Sequence, residues 1–95
     1  MSYSATETRT KPQTAKWFGV ADPVAAARAD DFVKTATGFE SVNKTKTGNT
    51  ITRTYVFDTK ENFTAYLTAR ASNADEAARK AYNTSNGIST SILGQ

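Results

Sequence analysis

The chain has 95 residues and a net charge of +3, and it contains neither cysteine nor histidine. This composition excludes disulfides, thiolate metal sites and histidine-dependent catalysis within the chain. Any acid–base chemistry would fall to Asp, Glu, Lys or Tyr. The length predicts a single domain over residues 1–95.

The basic residues are spread along the chain, which is typical of a solvated surface and not of a nucleic-acid-binding site. No apolar run approaches the ~20 residues of a membrane span. The first ten residues, "MSYSATETRT", lack the apolar core of a secretory signal. We therefore expect a cytoplasmic protein without nucleic-acid or membrane partners.

Two segments near the start compete for the first strand. Residues 3–10 alternate by two, with Thr6, Thr8 and Thr10 on one side, which is typical of a strand. Residues 14–20, "TAKWFGV", fit a strand as well. If the earlier segment is the strand, Trp17 and Phe18 belong to the connection that enters the first helix.

The first helix is predicted over residues 23–37. An acid before a proline, Asp22-Pro23, is typical of a helix start, and Gly38 is typical of a helix end. Between them, one face carries apolar residues at spacings of three and four: Ala25, Ala29, Phe32, Val33 and Ala36.

Residues 39–57 predict a β-hairpin around the two-residue turn Gly48-Asn49. Asp58 then caps a second helix, with Glu61 completing a capping box. A third helix begins at Ser72 or Asn73 and presents a small-residue face for close packing. A last strand is predicted over residues 88–93.

The predicted order is strand, helix, strand, strand, helix in two pieces, strand. This order indicates an α+β, ferredoxin-like βαββαβ sandwich, in which one antiparallel sheet carries helices on one face. Apolar residues place Ile51, Tyr55 and Phe57 on the helix side. The threonines at 50, 52 and 54 then lie on the open face.

Three roles for this open threonine face remain open. It could be solvated, or it could pack against the sheet of a second copy in a homodimer. Ice binding is the third interpretation, and the lack of a fixed-length repeat argues against it. We predict the homodimer, because a short chain gains stability by covering one sheet face.

The junction "YVFDTKENFTAYL" and the segment "RKAYNTSNGIS" complete a chain that resembles the dimeric ferredoxin-like, or dimeric α+β barrel, proteins. The antibiotic-biosynthesis-monooxygenase-like group is their best-known branch. The resemblance covers most of the chain in element order. It implies two sheets packed face to face, and a pocket between sheet and helices for a small, often apolar molecule.

The catalytic residues of that group transfer poorly to this sequence. Haem-degrading members use a histidine, which is absent here. Some cofactor-free members are associated with Asn, Trp, Tyr and Arg around an aromatic substrate. The resemblance offers Asn62, Tyr66, Trp17 and Arg53 for these roles. The pattern favours a surface position for Asn62, in the first turn of its helix, and a core position for Tyr66.

Arg53 is the most informative charged residue, because it shares a strand face with Ile51 and Tyr55. A buried guanidinium needs a partner, which could be Glu7 or the carboxylate of a ligand. Aromatic residues could form the rest of a ligand pocket or simply the core. The predicted ligand-binding set is Trp17, Phe18, Arg53, Tyr55, Phe57, Asn62, Tyr66 and Tyr82.

We therefore predict a homodimer that holds an apolar or amphipathic, fatty-acid-like ligand between sheet and helices. We predict no metal, no cofactor and no catalytic residue. The alternatives are a cofactor-free oxygenase-like enzyme and a structural assembly protein. An RNA-recognition module shares the element order, but its glycine-rich signature is missing.

Overall fold

The structure is a computed structural model, and it describes residues 2–94. A four-stranded antiparallel sheet has the strand order β2-β3-β1-β4. Its strands are β1 Tyr3–Thr10, β2 Phe39–Thr47, β3 Thr50–Phe57 and β4 Ser89–Gly94. The helices are α1 Phe18–Ala21, α2 Pro23–Phe32, α3 Lys60–Ala71 and α4 Ala74–Ser85. The predicted ferredoxin-like α+β fold is confirmed.

The first strand is the earlier of the two candidate segments. β1 lies inside the sheet, where Thr8 pairs with Thr52 of β3 on one side and with Ser91 of β4 on the other. Its alternating pattern suits a strand with one covered face. Trp17 lies just outside α1, in the connection between β1 and the helices.

The first long helix starts where it was predicted but ends earlier. The Asp22 side chain accepts a hydrogen bond from the Ala25 amide at 3.1 Å, with proline at the first helical position. After Phe32 the chain tightens into a 3-10 turn, Val33–Thr35. The prediction of a helix to residue 37 was wrong, because Thr35 caps the Phe32 carbonyl and the chain turns toward β2.

The cap of α3 also differs from the prediction. Thr59, and not Asp58, accepts the hydrogen bond from the Asn62 amide, at 3.1 Å. Asp58 instead accepts a bond from the side-chain amide of Asn62 at 2.8 Å. Its backbone amide also donates to the carbonyl of Gly38 at 2.8 Å, which ties the end of the hairpin to the turn before β2.

The two faces of the sheet differ sharply. On β3, Ile51, Arg53, Tyr55 and Phe57 are buried beneath the helices, while the residues between them face the other side. The predicted placement of the threonine row on the open face is confirmed. The paired positions of that face carry Ser4, Thr6, Thr8, Thr10, Ser41, Asn43, Thr45, Thr47, Thr50, Thr52, Thr54, Val56, Ser89, Ser91 and Leu93.

Aromatic rings form the main core at one end of the helix side. The rings of Phe57 and Phe63 lie 5.5 Å apart, and those of Phe57 and Tyr66 lie 5.7 Å apart. Phe57 is fully buried.

No helix within residues 2–94 combines the length and the apolar character that crossing a membrane requires.

Candidate functional site

Charged side chains occupy the middle of the helix side, next to the aromatic core. Three of these side chains come from β1 and β3, and the other four come from the helices α2, α3 and α4 that cover the sheet. Burial of so many charges is costly unless each has a partner. The cluster consists of Glu7, Arg9, Asp30, Arg53, Arg70, Glu76 and Arg79. We call it the charged cluster.

Glu7 anchors one end of the charged cluster and is only 1% exposed. One carboxylate oxygen accepts a hydrogen bond from the Tyr55 hydroxyl at 3.1 Å and lies 3.3 Å from Arg9 Nη2. The other oxygen accepts from Arg70 Nη2 at 2.8 Å. Burial raises the pKa of Glu7, but Arg9 and Arg70 together outweigh burial, so the pKa lies below its ordinary value.

Asp30 anchors the other end. Its Oδ1 atom lies 3.3 Å from Arg53 Nη2 and 3.0 Å from Arg79 Nη1. Arg79 also donates a short hydrogen bond to Glu76, three residues before it on α4. The partner of Arg53 is therefore Asp30, whereas the sequence pointed to Glu7.

Positive charge exceeds negative charge in this region. The charged cluster contains four arginines and three carboxylates, which leaves an excess of one positive charge. Lys44 of β2 pairs with Arg53 of β3 and adds a second positive charge. Burial and the neighbouring Arg53 lower the pKa of Lys44 below its ordinary value. An anion would therefore be stabilised here.

A cavity of about 220 Å³ lies beside this excess charge, between the sheet and the helices α1, α2 and α4. We call it the Trp17 cavity. Its apolar wall includes Trp17, Phe18 and Ile51, and its polar wall contains arginine, lysine, Asp30 and Asn83. The cationic side chains that line it are Arg9, Lys44, Lys46, Arg53 and Arg79.

Unpartnered polar atoms concentrate around this cavity. Within residues 2–94, five buried side-chain nitrogen or oxygen atoms have no hydrogen-bond partner. Four of them belong to residues of the Trp17 cavity wall: Arg9 Nε, Trp17 Nε1, Arg79 Nε and Asn83 Oδ1. Buried polar groups are normally hydrogen-bonded, so the residues of this wall are incompletely paired.

The structure separates the predicted ligand-binding residues into three groups. Trp17, Phe18 and Arg53 line the Trp17 cavity. Tyr82 lies next to it, with its ring 5.5 Å from that of Phe18 and its hydroxyl donating to the Lys16 carbonyl at 2.8 Å. The third group lies away from the cavity wall: Tyr55, Phe57 and Tyr66 pack in the aromatic core, and Asn62 is partly exposed and bonded to Asp58.

The four residues that the family resemblance suggested, an Asn, a Trp, a Tyr and an Arg, therefore do not all line this cavity. Trp17 and Arg53 share its wall, whereas Asn62 and Tyr66 are not part of it. Tyr66 instead lies beneath Arg70, whose guanidinium carbon is 5.6 Å from the centre of the tyrosine ring. Any chemistry in the Trp17 cavity would depend on its arginines, its two lysines and Asp30.

Sequence reasoning missed the contribution of α4. The prediction that α4 packs through a face of small residues was wrong, because Ala77, Ala78 and Ala81 are exposed. The helix instead buries Glu76, Arg79 and Asn83. Their spacing of three and four residues was a usable signal, since it puts three polar side chains on one helix face. Arg9 is also buried, at 8% exposed.

No group of three or more acidic, histidine or cysteine side chains within residues 2–94 is arranged to hold a metal ion. The polar wall of the Trp17 cavity instead combines cationic donors with one carboxylate and one amide. Such a wall suits an oxyanion.

Comparison with known proteins gives a fold but no close relative. No protein-family model and no curated protein matches the sequence. The chain is similar in structure to SnoaB, a cofactor-independent oxygenase from Streptomyces nogalater, with a TM-score of 0.69 and 10% identity, over 99% of this chain and 90% of SnoaB.

Two further structures have the same fold. The monooxygenase ActVA-Orf6 of Streptomyces coelicolor, solved with nanaomycin D, has a TM-score of 0.63 at 11% identity, over 99% of this chain and 87% of its own. The de novo designed protein Foldit4 has a TM-score of 0.57 at 13% identity, over 98% of this chain and 96% of its own. Because a designed protein shares the fold, the likeness alone assigns no activity.

Proposed function

We propose that the protein binds a small amphipathic organic anion, such as a single-ring aromatic carboxylate, in the Trp17 cavity. The observation that carries this proposal is the excess of positive charge on the wall of this cavity, where arginine and lysine lie beside apolar side chains. A carboxylate would offset that charge, and its ring would occupy the apolar part of the cavity.

The size of the cavity favours a short ligand. An apolar cavity of about 150 Å³ holds benzene, and drug-sized ligands need roughly 300–1,000 Å³. The Trp17 cavity, at about 220 Å³, lies between these limits. It suits one ring with a carboxylate, and it is too small for the fatty-acid-sized ligand that the sequence suggested.

The walls define how such a ligand would lie. Arg53 and Arg79 meet at Asp30, so their guanidinium groups converge on one end of the cavity. Trp17, Phe18 and Ile51 supply the apolar surface for the ring. In this orientation the carboxylate binds the arginines and the ring packs against the indole.

Isothermal titration calorimetry with benzoate and with benzamide, its neutral analogue, tests this proposal. We expect benzoate to bind and benzamide to bind at least about tenfold more weakly, because only the carboxylate offsets the arginine charge. Affinity for benzoate should fall as salt rises, to the degree that the site is solvent-accessible. Equal binding of both ligands, or of neither, would contradict the proposal.

A second candidate function is cofactor-independent oxygenation of a hydroquinone, and the cationic wall favours it. Lys44, whose pKa is lowered, is suited to accept the phenolic proton, and the arginines would stabilise the phenolate. Hydroquinone and O₂ then give hydroxyquinone and water. One oxygen atom joins the ring, the other leaves as water, and the substrate supplies all the electrons. The oxygenases of the same fold are consistent with this candidate.

Oxygen uptake with hydroquinone separates this candidate from simple binding. An enzyme would consume O₂ and hydroquinone in equal amounts, faster than buffer alone, and Lys44→Met would abolish the difference. Uptake at the rate of buffer alone would rule out catalysis with this substrate and leave the binding proposal intact.

We propose further that two copies pack through their open sheet faces. The paired positions of this face within residues 2–94 carry no charged side chain, and Leu93 is 76% exposed there. Interface centres are depleted of charge in the same way. Sedimentation velocity should show a dimer for the natural chain and a monomer for Thr52→Glu, which puts like charges at the centre of the interface. A monomeric natural chain would contradict this assembly.

A further inference from the structure

A second and larger cavity lies on the other side of the charged cluster. It is an open cleft of about 890 Å³ between α3, α4 and β4, and its size is in the range of drug-sized ligands. We call it the β4 cleft. Arg9 and Asn83 line both the β4 cleft and the Trp17 cavity, so these two side chains form the partition between them.

One wall of the β4 cleft is apolar. The exposed alanines of α4 and the end of α3 face the helix side of β4. α4 leaves this side of β4 uncovered, and Thr90, which lies on it, is exposed. The apolar residues that line the cleft are Leu67, Ala71, Ala77, Ala81, Ile88 and Ile92. Apolar side chains from three elements thus line one cleft, and such a surface suits an aliphatic chain.

The polar wall of the β4 cleft is cationic. Arg9, Arg70 and Lys80 line it, with Glu76 as the one carboxylate among its lining residues. Arg70 Nη1 and Arg9 Nε are buried and have no hydrogen-bond partner. The Arg9 side chain lines the cleft and is only 9% exposed, so solvent screens its charge poorly and a carboxylate in the cleft would be attracted to it.

We propose that the β4 cleft is a second binding site, which takes a medium-chain aliphatic carboxylate. The carboxylate would bind Arg70 and Arg9 at the inner end, and the chain would lie between α4 and β4. This ligand is the amphipathic chain that the Trp17 cavity is too small to hold, so the two cavities select different acids by size.

The shared partition makes the two sites compete. A carboxylate bound at one site draws on the same Arg9 donor and offsets the same excess charge that attracts an anion to the other. Binding of the aliphatic acid therefore weakens binding in the Trp17 cavity, and by linkage the reverse holds with the same factor.

Calorimetry with decanoate and with decanol, its neutral analogue, tests the β4 cleft directly. We expect decanoate to bind, and decanol to bind about tenfold more weakly or not at all. Ala81→Phe puts a ring between α4 and β4, where the chain would lie, and should weaken decanoate about tenfold or more because the two would clash. Ala78→Phe is the matched control, since Ala78 is exposed on the same helix and does not line the cleft.

Decanoate that binds the natural chain and Ala78→Phe equally well, but Ala81→Phe weakly, supports the cleft site. Equal affinity for all three chains, or no binding to the natural chain, would overturn it. Circular dichroism shows whether both variants keep the fold. If Ala81→Phe does not, Ala77→Leu, a smaller obstruction on the same wall, replaces it with the same expectation, and Ala78→Leu becomes the control.

Competition is measured by repeating the benzoate titration with the protein saturated with decanoate. We expect benzoate affinity to fall about fivefold or more, which is within the usual range of coupling between sites. Unchanged benzoate affinity would overturn the shared role of Arg9. The decanoate titration needs no benzoate binding, so the β4 cleft and the proposed function of the Trp17 cavity fail separately.

Discussion

The helix side of the sheet divides into two halves that differ in chemistry. Along β3, Phe57 and Tyr55 belong to the aromatic core, whereas Arg53 and Ile51 line the Trp17 cavity. The aromatic half is filled by rings with centroids 5.5–6.2 Å apart. The charged half holds a cavity and four unpartnered polar atoms on its wall.

The two halves along β3 therefore have different roles, one in stability and the other in binding. Close aromatic packing leaves no space for a ligand, so that half contributes stability. Unpartnered buried donors cost stability, so the charged half is the one that gains most from a ligand. Tyr55 joins the halves, because its ring packs in the core while its hydroxyl donates to Glu7.

Phe57→Ala should have the largest effect, since it empties the fully buried centre of the aromatic half. We expect a loss of about 4 kcal/mol in the free energy of unfolding, from lost burial and the cavity left behind. Urea denaturation followed by circular dichroism measures it. Val56→Ala, on the open face of the same strand, is the control and should cost far less if the core is on the helix side.

Glu7→Gln should have the next largest effect. It leaves Arg9 without a buried countercharge and Arg70 with only Glu76, 3.9 Å away, which costs about 3 kcal/mol of unfolding free energy. Denaturation at neutral pH measures this loss. A loss as small as that of a surface substitution would mean that the charged half is solvated.

The same variant predicts a change in pH dependence. The folded pKa of Glu7 lies below its ordinary value of 4.5, so the carboxylate stabilises the fold above that pH. This contribution disappears as the pH falls through the folded pKa. Between about pH 5 and pH 3, the natural chain should therefore lose more stability than Glu7→Gln. Parallel slopes would show that Glu7 has an ordinary pKa.

Arg53→Met should separate binding from stability. Asp30, its partner, is 39% exposed at the side chain and keeps Arg79, so little stability is lost. Benzoate affinity should fall about tenfold, because one charged donor is removed. Calorimetry measures the affinity and denaturation the stability. Arg53→Lys keeps the charge but not the planar fork, and we expect an intermediate affinity.

Arg28→Met should have the smallest effect. Arg28 makes two hydrogen bonds of 3.0 Å to Asp75, but its side chain is 61% exposed. Solvent screens such pairs. We expect the urea midpoint and the benzoate affinity to equal those of the natural chain. A clear loss of either would show that surface pairs between α2 and α4 matter for the site.

Local patterns were sufficient for the fold. The two-residue turn Gly48-Asn49 and the alternation on β3 predicted the hairpin and its buried face, and both are confirmed. Helix ends were less accurate. Asp58 and Thr59 are both good caps, and the choice depends on the tertiary contact of Asp58 with the Gly38 turn.

The site was only partly predictable. Arg53 stood out because its strand neighbours are apolar, and it does line the cavity. Its partner Asp30 lies 23 residues earlier, on a helix whose orientation the sequence does not reveal. Arg79 and Asn83 were not predicted, because α4 was expected to bury its alanines. The helix instead packs over charged positions of the strands and buries its polar face.

The indole N–H of Trp17 offers the most direct test of the central claim, that the Trp17 cavity binds an organic anion. The chain has one tryptophan, so its Nε1–H gives a single indole resonance in a nitrogen–proton correlation spectrum. We predict that titration with benzoate shifts this resonance saturably and that benzamide at the same concentrations does not. An indole resonance that stays in place with benzoate, in a folded protein, would contradict the account.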